Sequence, residues 1–412
     1  MIDARILVIV QPPSVHDHVW KGNKLDFQKL IAYCRADLPA VMECLRQAVE
    51  IESPSDSKTG IDRLTRFFAH ECKRRHGKVT FLEQRDCGAG LIAEFWGKTK
   101  GAHAARRASR IKPVLLLGHL DTVWPRGTLA RMPFRIRNGR AYGPGILDMK
   151  AGIVIGLAAI RCLHTLGIEP ASSVRLLLTS DEEVGSRAFR KKIEAEARRA
   201  RAVLVLEPAA EGGAMKTSRK GVGEFEIRVH GRASHAGINP ERGVNAIAEL
   251  ARQLLRLDKF ADPQRGITLN AGVIEGGTRP NVVPELARAV VDVRIRRLGD
   301  GERIERKMFG LKPIHPQARL EVKGGINRPP LERIRAIELY RKARALGRGL
   351  GFEVEEASTG GGSDGNFSAA LGIPTLDGLG AVGDGAHAIH EHIVIRELPR
   401  RAALLAALVA TL

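Results

Sequence analysis

Cysteine is scarce and unpatterned in this chain. Its five copies, Cys34, Cys44, Cys72, Cys87 and Cys162, form an odd set with no C-x-x-C pair and no zinc-finger spacing. That argues against a disulfide framework and suits a reducing compartment. Long apolar runs are also missing: nothing approaches the ~18 residues that a spanning helix needs, so no membrane partner is expected. The opening MIDARILVIVQPPS has only Ile6 to Val10 as an apolar stretch, too short for a secretory h-region. A cytoplasmic protein with an N-terminal extension is the expectation. Internal repeats and low-complexity tracts are absent as well.

What is present is a chain of 412 residues, 44% hydrophobic and 27% charged, the composition of a globular protein. At roughly 150 residues per domain the length predicts two or three domains. Lys and Arg exceed Asp and Glu by 66 − 46 = +20, a balance that steers anionic partners toward the surface without choosing among them. The most basic stretch, KTKGAHAARRASRIK from Lys98 to Lys112, has six basic residues and no acid. No aromatic residue is interleaved, so it reads as a solvated loop and no nucleic-acid partner is expected.

Helical periodicity runs from residue 24 to 51, as two helices split near Pro39, and stops at Glu52-Ser53-Pro54-Ser55. Three valine- and leucine-rich runs of strand length follow, starting at Val114, Val174 and Val203, with an apolar helix over Met149 to Leu166 between the first two. Such runs, with little alternation, fit strands buried on both faces in a mostly parallel sheet covered by helices. Beyond Lys216 the texture changes to alternation at Glu224 to Val229, Thr268 to Val273 and Ala287 to Ile295, with a possible strand at Arg319 to Val322 and an amphipathic helix over Val244 to Leu257. The fold class is therefore α/β, with an inserted α+β unit of four antiparallel strands and two helices. The expected division is 1–215 for the first part of the catalytic domain (1–40 as extension), 216–328 for the insertion, and 329–412 for the rest. In that last part a helical pattern over Leu331 to Leu346 is followed by a tail of glycine-rich loops.

In open α/β sheets, ligands bind beyond the carboxyl ends of the strands. His119, Asp121, Glu182, Glu183 and Glu207 all fall at such ends. Asp148 follows a Gly-Pro-Gly turn, and His387 sits in the glycine-rich string Gly383-Asp384-Gly385-Ala386-His387. Taken singly, each has an ordinary structural explanation, and His390 and His392 compete with His387. Taken together, two histidines and three or four carboxylates suit a pair of zinc ions, and crowded carboxylates repel unless cations or protons intervene.

The strings GHLDTVWP (118–125), GPGILDMKAG (143–152), TSDEEVGS (179–186), LEP (206–208), GRASHAG (231–237), RPNVVP (279–284), VDVR (291–294), GGGSD (360–364) and GAHAIHE (385–391) resemble the dinuclear zinc metallopeptidases of the glutamate carboxypeptidase, aminoacylase and succinyl-diaminopimelate desuccinylase family. The resemblance covers about residues 40 to 410, in the family's order. It implies two Zn2+ per chain, with Co2+ or Mn2+ as substitutes. Asp148 would bridge them, His119 and Glu207 would complete one site, and Glu183 and His387 the other. It further implies that Asp121 orients His119, that the Asp148-Met149 peptide is cis, and that Glu182 is the general base activating a metal-bridging hydroxide. His235 would stabilise the oxyanion from the second protomer of a homodimer. Asn281, Arg294 and Arg328 match positions that hold substrate carboxylates, and Gly361 and Ser363 of GGGSD would supply backbone donors. Glu50-Ile51-Glu52-Ser53-Pro54-Ser55 and the GDGAHA string lean toward the glutamate carboxypeptidase branch. The expected activity is zinc-dependent amide hydrolysis that frees an amino acid from a small peptide or N-acyl amino acid. The alternatives are an N-acyl-amino-acid deacylase of the acetylornithine or succinyl-diaminopimelate type and a non-catalytic basic binding protein.

Overall fold

A computed structural model describes residues 25–96 and 111–412. Most of the expected extension and all but the last residues of the basic stretch lie outside them. The central sheet has six strands in the order Lys78–Leu82, Gly90–Phe95, Val174–Thr179, Val114–His119, Ala202–Val205 and Thr375–Leu376. The last four are mutually parallel, and the first two run antiparallel at one edge. Within Val114–His119, Leu116 enters one apolar cluster with Leu176 and Leu204, whereas Leu115 and Leu117 enter another with Leu177, Val203 and Val205. Successive side chains point to opposite faces of a strand, so two buried faces explain why these runs show no polar alternation.

Helix Ala151–Thr165 packs on the first face with Leu398–Thr411 and Phe27–Ala36. Helices Arg190–Arg199 and Gly365–Ala370 cover the other through Ile193, Ala197 and Phe367. Two expectations change here, and the helix split expected near Pro39 is located. The tail is not a run of loops, because Leu398–Thr411 is a helix buried along nearly its whole length. The first two helices divide at Asp37, and Pro39 occupies the first turn of Leu38–Val49, where its missing N–H leaves no intrahelical bond unmade. Phe27–Ala36, expected inside an extension, buries Leu30, Ile31 and Cys34 in the main core.

The second unit is a separate four-stranded antiparallel sheet ordered Thr268–Gly276, Leu286–Ile295, Gly221–His230, Arg319–Arg328. Its alternating burial, strictest along Leu286–Ile295, is that of a sheet with one covered face. Helices Ala246–Leu257 and Leu298–Phe309 supply the cover, packing with Phe225, Val291, Val293 and Ile304. The strand Thr268–Gly276 is an open edge, exposed at all but one residue. All five cysteines are buried and free. Among the described residues no helix is long and apolar enough to cross a membrane.

Candidate metal centre

The parallel strands all end on one rim. His119 is the last residue of Val114–His119, Glu182 and Glu183 open a short turn after Val174–Thr179, and Glu207 follows Ala202–Val205 by two residues. Asp148 stands in the distorted turn Ile146–Lys150 ahead of helix Ala151–Thr165, and its peptide to Met149 is cis. His387 takes a left-handed backbone conformation, φ 63°, in its loop.

Asp148 lies between the two imidazoles. Its Oδ1 is 3.2 Å from His119 Nε2 and its Oδ2 is 3.5 Å from His387 Nε2. Glu207 Oε1 is 3.5 Å from the same nitrogen of His119, and Glu183 Oε1 is 3.3 Å from that of His387. Ligand atoms of His119, Asp148 and Glu183, and separately of His119, Glu182 and Glu207, lie within 4.8 Å of one another. His119 Nδ1 lies 2.9 Å from the Asp121 carbonyl, which can only accept, so that nitrogen carries the ring proton. In the neutral ring Nε2 is then a lone pair aimed at two carboxylates. Acceptors facing acceptors need a cation between them, and Glu183 Oε1 is a buried oxygen without a hydrogen-bond donor. The donor set of nitrogen and oxygen atoms therefore fits divalent metal.

The titration behaviour has the same origin. Burial by itself would lower the His119 imidazole, yet Asp121, Asp148 and Glu207 hold it well above its ordinary range. Bonds to Asp148 and Glu183 raise His387 to about 10. Burial pushes Glu182 far above the usual carboxylate range despite the attraction of Arg328 and His119, and pushes Glu183 up despite the pull of the nearby His387. Glu182, whose ligand atom lies within 4.8 Å of those of His119 and Glu207, is placed for proton transfer at the cluster.

Asp121 does more than face His119. Its carboxylate accepts the backbone N–H groups of Glu182 and Glu183, each at 3.1 Å, and the Ser55 hydroxyl at 2.8 Å. Several supporting residues had no assigned part in the sequence. Asp364 accepts from Thr179 Oγ1, Ser186 Oγ and Arg328, fixing the turn that carries Glu182. Arg219 pairs with Asp377 and reaches Glu207 Oε2 at 3.4 Å. Glu391 accepts from the backbone of the Asp148 turn. Asp364 and Glu391 fall inside the strings GGGSD and GAHAIHE, whereas Arg219 carries no sequence signal.

The remaining expected residues are placed differently. His390 and His392 stay out of the cluster: His392 is buried against Tyr142, and its Nδ1 lies 2.9 Å from the His390 carbonyl. His235 is exposed, and its Nδ1 accepts from Gly237 N–H in its own turn. Asn281 adjoins that turn, its carbonyl accepting from Ala236 N–H. Arg294 spends its fork on Asp292, with Nη1 3.4 Å from the Gly360 carbonyl. Arg328 is buried, its Nη2 3.0 Å from Glu182 Oε1 and bonded to Ser186, while its Nε has no partner. Gly361 gives its carbonyl to Arg219. Ser363 is fully buried, with its hydroxyl donated to Asp377 and its N–H to Asn366. Neither donor of Ser363 is turned to the rim, because both complete the internal network beneath it.

Residues 115–411 match the sequence profile of Peptidase family M20/M25/M40. Carboxypeptidase G2 of Pseudomonas sp. (strain RS-16) is 33% identical over 389 residues, 91% of this chain and 89% of that relative. Succinyl-diaminopimelate desuccinylase of Wolinella succinogenes is 26% identical over 302 residues, 69% and 80% of the respective chains. Among solved structures, the aminopeptidase PepT of Bacillus cereus shares the fold at a TM-score of 0.70 and 21% identity, over 90% of this chain and 98% of that one. On the profile match and the 33% identity, the chain belongs to peptidase family M20/M25/M40 and is a metallopeptidase, an enzyme that hydrolyses amide bonds.

Proposed function

We propose that the enzyme is a zinc-dependent carboxypeptidase that releases a C-terminal glutamate or similar residue from a small peptide or N-acyl amino acid. The observation that carries this is Asp148, with one carboxylate oxygen toward His119 and the other toward His387. In this reading His119 and Glu207 would hold one Zn2+ and Glu183 and His387 the other, with Asp148 available to both. Two such cations would supply acidified water and a polarised amide carbonyl. Glu182 would take a proton from the attacking water and deliver it to the leaving nitrogen, a role supported by its place beside His119 and Glu207 with Arg328 on its Oε1. Arg328, against Glu182, keeps that carboxyl aimed at the rim.

The substrate carboxylate falls to Asn281, Arg294, Arg328 and the Gly361 loop. Arg294 must exchange Asp292 for substrate, which its planar fork allows without a change of geometry. His235 supplies the oxyanion donor across a homodimer. The open edge Thr268–Gly276, with Val273 and Ile274 exposed, supports such pairing, since unpaired strand edges recruit partners. The expected division at 216–328 would then make the inserted unit the dimerisation domain. Five buried free thiols support a cytoplasmic setting.

The test is hydrolysis of N-acyl-glutamate beside N-acetylornithine and N-succinyl-diaminopimelate, with zinc counted per chain. Turnover of the glutamate substrate is expected. The desuccinylase relative favours deacylation as the second reading, and turnover of the other two substrates alone would establish it.

A further inference from the structure

Glu391, on the His387 segment, is fully buried, and the two other ligand-bearing segments that bind it do so without a charged group. Its Oε1 accepts the backbone N–H groups of Leu147 at 2.8 Å and Asp148 at 3.1 Å. Its Oε2 accepts the N–H of Gly145 at 2.9 Å and the indole Nε1–H of Trp124 at 2.6 Å. Both oxygens are thus filled by donors, and every donor belongs to a segment that carries a residue of the cluster. The 145–148 turn ends in Asp148, Trp124 lies five residues beyond His119, and Glu391 lies four residues beyond His387. Immediately after it, His392–Val394 pairs with Arg140–Tyr142, the strand that leads into the Asp148 turn.

We propose that Glu391 is a positioning residue that sets the spacing between the His119, Asp148 and His387 segments, and so the affinity for the second metal ion. The inference rests on the metal reading of the site. An acceptor with two anionic oxygens is the only side chain that satisfies four converging N–H groups. Glutamine has the same shape but must turn its NH2 against one pair of those donors, leaving a buried clash of like groups. The turn would then shift, and Asp148 with it, although Glu391 touches neither metal nor substrate.

The experiment measures Zn2+ affinity of the metal-free full-length protein by competition with a chromophoric chelator, followed by steady-state kinetics at saturating zinc. For Glu391→Gln, weaker binding at one of two sites by about 10–100-fold is expected, the range seen when partners that orient metal ligands are removed. At saturating zinc kcat should fall while KM holds, and the metal-free protein should keep a cooperative thermal transition, its midpoint lowered by the cost of the buried clash. Trp124→Phe removes one donor and leaves the backbone bonds, so a loss of a few fold is expected. It also carries the test if Glu391→Gln does not fold: parental zinc affinity in Trp124→Phe would then overturn the inference. Unchanged affinity and kcat in a folded Glu391→Gln would overturn it outright. Failure of the unaltered protein to bind zinc would instead overturn the metal reading itself.

Discussion

The two units of this molecule bury charge in opposite ways. In the α/β unit, carboxylates crowd one rim, where burial drives Glu182 and Glu183 toward their protonated forms. In the inserted unit the buried acid Glu249 accepts the Ile314 and His315 N–H groups and the Gln253 amide, which hold its carboxyl below the usual range although burial opposes them. Glu249 is satisfied and fixes a loop. At the rim, by contrast, Asp148 and Glu183 face the imidazole nitrogens of the cluster, and Glu183 Oε1 lacks a hydrogen-bond donor. Chemistry is expected where buried acids crowd together, and the Glu249 network of the inserted unit spends its polar groups on architecture.

The largest effect expected from this contrast is at Glu182. Glu182→Ala should lower kcat by about 10²–10⁴-fold with metal content kept, as read by elemental analysis. Loss of metal would mean that Glu182 is a ligand instead. Within the inserted unit the largest effect on chemistry should come from His235: His235→Ala should lower kcat by about 10²–10³-fold, the scale of one oxyanion donor, with metal intact. Mixed dimers of His235→Ala and Glu182→Ala chains should regain activity. Their failure to complement would argue against donation across the dimer.

Packing in the inserted unit should be separable from the metal centre. Phe225 is fully buried in its core, so Phe225→Ala should cost about 3–5 kcal/mol in that unit's unfolding, measured by denaturant titration, while zinc binding stays parental. A coupled loss of zinc would break the comparison. The smallest effect concerns pH. Asp181 is raised to about 6 by burial and by Asp364 and Asp121. The folded state therefore holds this proton more tightly than the unfolded chain, and its stability falls as pH rises from about 4 to about 6. Asp181→Asn should be more stable than the parent above pH 6, by on the order of 2 kcal/mol, and should lose that advantage near pH 4. Glu249→Gln should do the reverse, destabilising at neutral pH with the penalty shrinking as acid protonates the parent. Parallel pH curves for both variants would contradict the difference between the units.

Much of this arrangement was readable in the sequence because a parallel sheet leaves a strong signature. Runs buried on both faces lack alternation, and the polar residues that end them, His119, Asp121, Glu182, Glu183 and Glu207, must emerge at one edge. Helix Leu398–Thr411 was not readable: its apolar residues go round the whole helix because it is buried on all sides, which leaves no stripe to detect. The engagement of Ser363 and Arg328 was hidden for another reason. Their partners Asp377, Glu182 and Ser186 are set by tertiary packing, and a motif shows that a polar residue is present without showing whether it faces the substrate. Glu391 is the extreme case, since three of its four donors are backbone amides about 245 positions away, and backbone leaves no trace in a residue pattern.

Diffraction from zinc-loaded crystals at the zinc absorption edge tests the central claim most directly. Two anomalous peaks per chain are expected on either side of Asp148, one beside His119 and Glu207 and the other beside Glu183 and His387. A single peak, or peaks held by other residues, would contradict it.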